Sequence, residues 1–323
     1  MTYDLLIFHG IIFSISFILT TITLLIIMRL SFARGIVGKD VHKPWNSYAS
    51  EIGGVSLIIG SLIPFLFHPS ERTLAFFISS LIALGIGLYD DLRVLSGRVK
   101  PILAIMPSLP VIILGLYKPT PFIPFIGEAR LFLLYPIIVA IGYSIALNAI
   151  NMSDTHNGLI AGISLIALSV LAPYLIEKNP FDAVIFISLI ASLSAFLIYN
   201  AYPAKSFVGN SGSFIIGSWF ASIAFISSVE FLIVLSLLPL VINGFTILVS
   251  IRGFKERREI KKRPVSVVQG FIYGNRDPDA PVTLANIASI KRPIREADYV
   301  ISMYILILIS SLAGLLIWIL TQA

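Results

Sequence analysis

Asp90 and Asp91 stand side by side directly after the apolar run FFISSLIALGIGLY, and Lys100 follows nine residues later. Two adjacent carboxylates at the edge of an apolar segment repel one another and lose hydration, so a compensating cation is expected. A single acid there would read as an interfacial cap. Lys100 could neutralise the pair or bind a phosphate, although taken alone it is an ordinary interfacial lysine.

A second cluster lies in NAINMSDTHNGL (148–159). Asn148 and Asn151 are three residues apart on one helical face, with Asp154 a further turn along. Amides and a carboxylate on one stripe suit a hard cation or a sugar-phosphate, which take oxygen ligands. A polar helix-packing stripe is the plain alternative. Asn151 also opens an Asn-Met-Ser sequon, but at a helix end and on the wrong side for glycosylation.

In KSFVGNSGSF (205–214), two glycines permit close backbone approach. Asn210, Ser211 and Ser213 could cap a following helix whose amide groups then face a phosphate, or cap it and nothing more. The segment RGFKERREIKKRP (252–264) is dense in Lys and Arg. It suits a lipid-headgroup anchor or a cationic clamp for a diphosphate. His42 and His156 lack metal-ligand spacing and read as ordinary loop residues.

The elements that must position these groups are membrane helices. Of 323 residues, 57% are hydrophobic and 12% are charged, about half the charged share of a soluble domain. Cysteine is absent, which excludes disulfides, zinc-thiolate sites and thiol nucleophiles. Ten apolar runs approach the ~20 residues needed to span a bilayer: 5–28, 52–69, 73–89, 101–117, 130–150, 158–176, 181–199, 207–227, 230–251 and 299–320. The first run lacks a basic flank and is too long for a secretory signal. The expected fold is therefore an all-α integral membrane protein, one polytopic domain over 1–323, with 252–298 as a basic loop before the last helix.

Nearly all the Lys and Arg residues follow the odd-numbered runs, and the opposite loops hold just Arg72, Lys118, Arg130 and Lys178. That asymmetry predicts a cytoplasmic face carrying every polar cluster, with both termini outside. Five polar loops on one face suggest one site. The chemistry that fits them is phosphoryl transfer to a lipid-borne substrate, which needs a divalent cation, cationic groups and a carboxylate.

With these clusters in order, the chain resembles the polyprenyl-phosphate N-acetylhexosamine-1-phosphate transferase family over nearly its whole length. It is most similar to the eukaryotic and archaeal dolichyl-phosphate branch. NAINMSDTHNGL resembles that branch's NAINxxxGxNGLE, YNAYPAKSFVGN resembles YNWYPSxVFVGD, and VTLANIASIKRPIREADY (282–299) is similar to MTLINxxLxxxGPIxExxL. The histidine-rich signature of the bacterial branch is absent from 252–298.

The resemblance implies transfer of N-acetylglucosamine-1-phosphate from UDP-GlcNAc to a polyprenyl or dolichyl phosphate, with UMP released. This would be the first membrane step of glycan assembly, N-glycans being the expected product. It implies magnesium, with manganese as a substitute, and membrane lipids but no nucleic acid as partners; a homodimer is left open. By resemblance, Asp90, Asp91 and Lys100 are catalytic, and Asn151, Asp154 and Asn210 hold the metal. Glu51, Asn148, Asn157 and Phe207 would contact the nucleotide and sugar, with Lys261, Lys262 and Arg263 as the diphosphate and sugar clamp. Asn210 departs from the family, which has aspartate there; an amide keeps a carbonyl oxygen but loses the charge, and Asp154 could restore it. Two other readings remain: a member with lost or altered catalysis, and a secondary transporter, although transporters bind near the midplane and often show inverted repeats.

Overall fold

The computed structural model describes residues 3–41, 43, 45–178, 182–255 and 259–322, and for 3 and 4 the backbone alone. His42, together with Glu256, Arg257 and Arg258 of the basic run, lies outside the described residues. The chain opens with a long apolar helix, α1 (Tyr3–Ala33), then a short hairpin of β1 (Val37–Lys39) and β2 (Tyr48–Ser50). A 3-10 turn (Gly53–Leu57) leads into α2 (Ile58–Phe67) and then α3 (Glu71–Leu92). Two short helices follow, α4 (Val99–Leu103) and α5 (Leu109–Ile113), and a second small hairpin, β3 (Phe122–Ile123) with β4 (Gly127–Glu128). Long helices resume with α6 (Tyr135–Ser153), α7 (Leu159–Lys178), α8 (Ala183–Asn200) and α9 (Gly209–Ile226). Next come α10 (Glu230–Ser236) and α11 (Leu238–Ser250), then β5 (Val265–Val268), β6 (Phe271–Gly274), α12 (Leu284–Ser289), β7 (Ile294–Arg295) and α13 (Glu296–Gln322).

Among the described residues, six helices are long and apolar enough to cross a membrane: α1, α3, α6, α7, α8 and α13. The pair α10–α11 would make a seventh, bent by 70°. Sequence periodicity gives ten runs; of the four others one is the continuous helix α9, whose start GNSGS is polar, and the rest are interrupted helices. Pro101, Pro107 and Pro110 divide the run at 101–117 into α4, a 3-10 turn and α5. A proline offers no N–H to the preceding turn and crowds its carbonyl. Pro239, in the first turn of α11, marks the bend after α10 in the same way. The run at 52–69 becomes the 3-10 turn plus α2.

The strands are a second departure from an all-helical expectation. In 265–274, VSVVQGFIYG alternates β-branched and aromatic residues about a Gln269–Gly270 turn, and both turn residues have positive φ. That is hairpin chemistry. Val267 and Ile272 pack inward, and β7 completes a three-stranded antiparallel sheet.

The core is built around α9, in which every residue from Ser211 to Ile226 is buried. A helix that is apolar or small on all sides has no solvent-facing stripe. It lies between α3 and α6. The approach to α3 is backbone to backbone: a Cβ on Gly87 would fall 2.4 Å from Asn210 O and 2.6 Å from Ser211 Cα. Small residues allow such close helix contact where lipid and side chain are equally apolar.

Candidate active site

The start of α9 is the hub. Gly209 enters in the left-handed region (φ +66°), and the next two amides, of Asn210 and Ser211, donate to Asp91 Oδ1 and Oδ2 at 2.8 and 2.9 Å. Asp91, near the end of α3, therefore caps α9 from a neighbouring helix, where a negative charge meets the positive end of the helix dipole. This corrects one sequence reading. Those amides do not face open space for a phosphate, and no side chain of Asn210, Ser211 or Ser213 caps the helix.

Asp90 points elsewhere. Its Oδ1 accepts the Leu95 backbone N–H at 2.7 Å, and its Oδ2 pairs with Lys100 Nζ at 2.7 Å. The carboxylate side chain is 1% exposed and the lysine 19%, so the buried partner is neutralised while the ammonium still reaches solvent. Ser144 Oγ donates to Pro101 O at 2.7 Å, which ties α4, the helix carrying Lys100, to α6. Nothing in the residue pattern singles out Ser144.

At the end of α6, Asn151 Nδ2 donates to Asn210 Oδ1 at 2.6 Å and to Ser213 Oγ at 2.8 Å. Asn151 and Asn210 thus meet directly. Asp154 caps the same helix end, half-buried. Burial first, then the nearby Asp91 carboxylate, push its carboxyl up to about 7. Among the described residues no three His, Asp or Glu side chains form a metal cluster. The available hard donors are Asp154 and the two asparagine amides. Asn148 folds back onto its own helix, Nδ2 donating to Ser144 O at 2.8 Å.

A second cluster forms where 205–207 adds to the first hairpin. Ser50 N donates to Lys205 O at 3.1 Å and Phe207 N to Ser50 O at 2.8 Å, so residues 50 and 206 pair in parallel. This brings Glu51 and the half-buried Phe207 together against Gly38, whose bare α-carbon leaves room: a Cβ there would sit 2.7 Å from Glu51 Oε1 and 3.2 Å from Phe207 Cε2. Glu51 is exposed.

Asn157 is buried nearby, with both its amides held. Its backbone N–H donates to Glu296 Oε1 at 2.7 Å and its Nδ2 to Asp40 Oδ2 at 2.6 Å. Asp40 pairs with buried Lys43 at 2.5 Å, and Lys43 Nζ reaches Ala204 O at 3.4 Å. Sequence reasoning passed over Asp40, Lys43 and Glu296. Signals existed: an acid–base pair at i, i+3 in KDVHK, and an acid opening the last apolar run.

The basic segment divides. Lys262 pairs with Asp277 at 2.7 Å and Asp279 at 2.9 Å, so its ammonium is already engaged within the 262–279 loop. Asp277 in turn is held below the usual carboxylate range by Lys262. Lys261 and Arg263 are exposed, and the carbonyl of Arg263 accepts from Asn275 Nδ2 at 2.9 Å. His156 is buried beside Tyr299, their ring centroids 4.5 Å apart.

All five polar loops therefore meet at one end of the bundle. The opposite end carries two cavities, of about 360 and 250 Å³, lined among others by Lys118, Glu128, Arg72, Lys178 and Asp182. None of the expected site residues lines them.

The sequence profile of glycosyl transferase family 4 matches residues 73–228. A Saccharolobus solfataricus protein is 36% identical over 219 residues, covering 65% of this chain and 68% of the relative. A Sulfolobus acidocaldarius protein is 32% identical over 223 residues, with the same coverage. Both are provisionally named UDP-N-acetylglucosamine–dolichyl-phosphate N-acetylglucosaminephosphotransferases. A Bacillus subtilis protein, 28% identical over 267 residues (78% of this chain, 73% of the relative), is provisionally named an undecaprenyl-phosphate N-acetylglucosaminyl 1-phosphate transferase. With such relatives and its apolar helices, the chain is an integral membrane protein.

Proposed function

Because the chain belongs to glycosyl transferase family 4, we propose that it transfers N-acetylglucosamine-1-phosphate from UDP-GlcNAc to a polyprenyl or dolichyl phosphate. The observation that carries this reading is the single polar end of the bundle. There the Asp90–Lys100 pair, the Asp91-capped start of α9, the Asn151–Asn210 contact and the Glu51–Phe207 cluster all converge. A lipid carrier explains why such a site is built into membrane helices.

In the reaction an oxygen of the lipid phosphate forms a bond to the β-phosphorus of UDP-GlcNAc. The bond from that phosphorus to the α–β bridging oxygen breaks, and UMP leaves with the electron pair. The sugar-phosphate ends on the lipid as a diphosphate. Such a transfer asks the protein mainly for positioning and charge compensation. Lys100, oriented by Asp90, offers a cation to the phosphates. Asp91 fixes the first turn of α9 and so sets where Asn210 and Ser213 stand. Phe207 and Glu51 would take the uridine end, and the exposed Lys261 and Arg263 would lie toward the diphosphate and sugar.

Magnesium fits the donor set. Asp154, Asn210 and Asn151 offer oxygens of the kind it prefers, few in number and completed by substrate phosphates. Bound there, it would supply charge neutralisation at the diphosphate. On the Lys/Arg asymmetry, we read the ten apolar runs as crossing the bilayer, the polar end as cytoplasmic and both termini as outside. The reaction would then begin a lipid-linked glycan on the cytoplasmic leaflet.

The test is direct. Purified protein given UDP-GlcNAc, dolichyl phosphate and magnesium should release UMP in step with a lipid-linked product. No UMP from any UDP-sugar and carrier in a small panel would refute the reading.

A further inference from the structure

The geometry points to Asp40 and Lys43 as positioning residues that set base selectivity by fixing the amide of Asn157, an inference that rests on the UDP-sugar reading above. Asn157 is 5% exposed; its backbone N–H is committed to Glu296 and one of its two side-chain amide hydrogens to Asp40. Asp40 is 2% exposed and salt-bridged to Lys43, which is 7% exposed. A carboxylate in an ion pair with an ammonium accepts hydrogen bonds and donates none. The atom facing Asp40 Oδ2 at 2.6 Å must therefore be the amide nitrogen, and the usual ambiguity of asparagine orientation is removed.

The consequence falls on the other side of the amide. Asn157 Oδ1 accepts no hydrogen bond among the described residues and is not sealed from solvent. It is the acceptor the side chain has left to offer. On the reading that Glu51 and Phe207 take the uridine end, Asp40, two residues from the Gly38 they flank, puts this acceptor at the base end of the site. Uracil presents an N–H at ring position 3, whereas cytosine presents a lone pair there. A fixed acceptor pairs with the first and repels the second, and a buried polar group left unpaired is what makes such discrimination strong. Lys43 also reaches Ala204 O, and its ammonium lies 5.7 Å from the Tyr202 ring centroid. The same ion pair thus anchors the segment that carries Phe207, keeping stack and acceptor in one register.

The experiment is equilibrium titration of UMP and CMP, separately, into the detergent-purified full chain. The parent should bind UMP roughly 10- to 100-fold tighter than CMP. The double variant Asp40→Asn with Lys43→Met removes the ion pair without leaving a buried unpaired charge, and an asparagine at 40 can meet either face of the Asn157 amide. Its UMP-to-CMP ratio should fall to within about threefold of one. A double variant that unfolds at the parent's temperature yet keeps the parent's ratio overturns the inference. If the double variant cannot be recovered folded, the parent decides: a ratio below about tenfold overturns it and one of about tenfold or more supports it. Selective UMP binding without UMP release from UDP-GlcNAc would sink the transferase reading and leave the inference standing. Turnover by a parent that does not discriminate between the nucleotides would do the reverse.

Discussion

Asp91→Asn separates a carboxylate that reacts from one that holds a helix. In the structure each oxygen of Asp91 accepts one backbone N–H of α9, at 2.8 and 2.9 Å. Asparagine is nearly isosteric but keeps one acceptor and turns an amine toward the other N–H. The change loses one charge-assisted hydrogen bond, worth about 1.5–3 kcal/mol, and leaves a partly buried donor unpaired. Neutralising a buried carboxylate returns some of that cost, because its desolvation is no longer required. The net destabilisation is about 2 kcal/mol, or roughly 4 °C in melting temperature at ~2 °C per kcal/mol for a chain of this size. Thermal unfolding of the purified variant, followed by intrinsic fluorescence in the same detergent, measures this. UMP release should fall as well, because Asn210 and Ser213 ride on the turn that Asp91 fixes. A variant with the parent's melting temperature but no turnover would refute the capping role and make Asp91 a reagent.

Three further outcomes are expected. Because the Asp154 carboxyl is pushed up to about 7, it is mostly protonated at pH 6 and mostly ionised at pH 8 without metal. Magnesium should therefore half-saturate at lower concentration as pH rises across that window, and Asn210→Asp, which adds an acid to the proposed donor set, should lower the half-saturating concentration by about tenfold at pH 7.5; activation curves independent of pH and of Asn210→Asp would remove Asp154 from the metal site. Phe207→Ala removes the ring beside Glu51 and Gly38, so the KM for UDP-GlcNAc should rise about tenfold, in line with ~1–3 kcal/mol for a lost base–aromatic stack, while kcat changes little; a fall in kcat at constant KM would contradict a base-stacking role.

Composition and pattern alone determined that this chain is helical, membrane-embedded and polar at one end, because bilayer thickness dictates run length and charge is too costly to scatter inside lipid. They also marked Asp90 with Lys100 as an acid needing a cation, Asn151 as part of a polar helical stripe, and Asn210 as a polar residue at a helix start. Tertiary structure decided which partner each group took. The adjacent residues Asp90 and Asp91 look equivalent in sequence, but successive helical side chains point about 100° apart, so one meets a lysine on α4 and the other a helix start 119 residues further on. Lys262 reads as a free cation until the 262–279 loop folds back to set Asp277 and Asp279 against it. Asp40, Lys43 and Glu296 drew no notice because a buried charge is defined by what surrounds it, and their surroundings come from segments more than 100 residues apart.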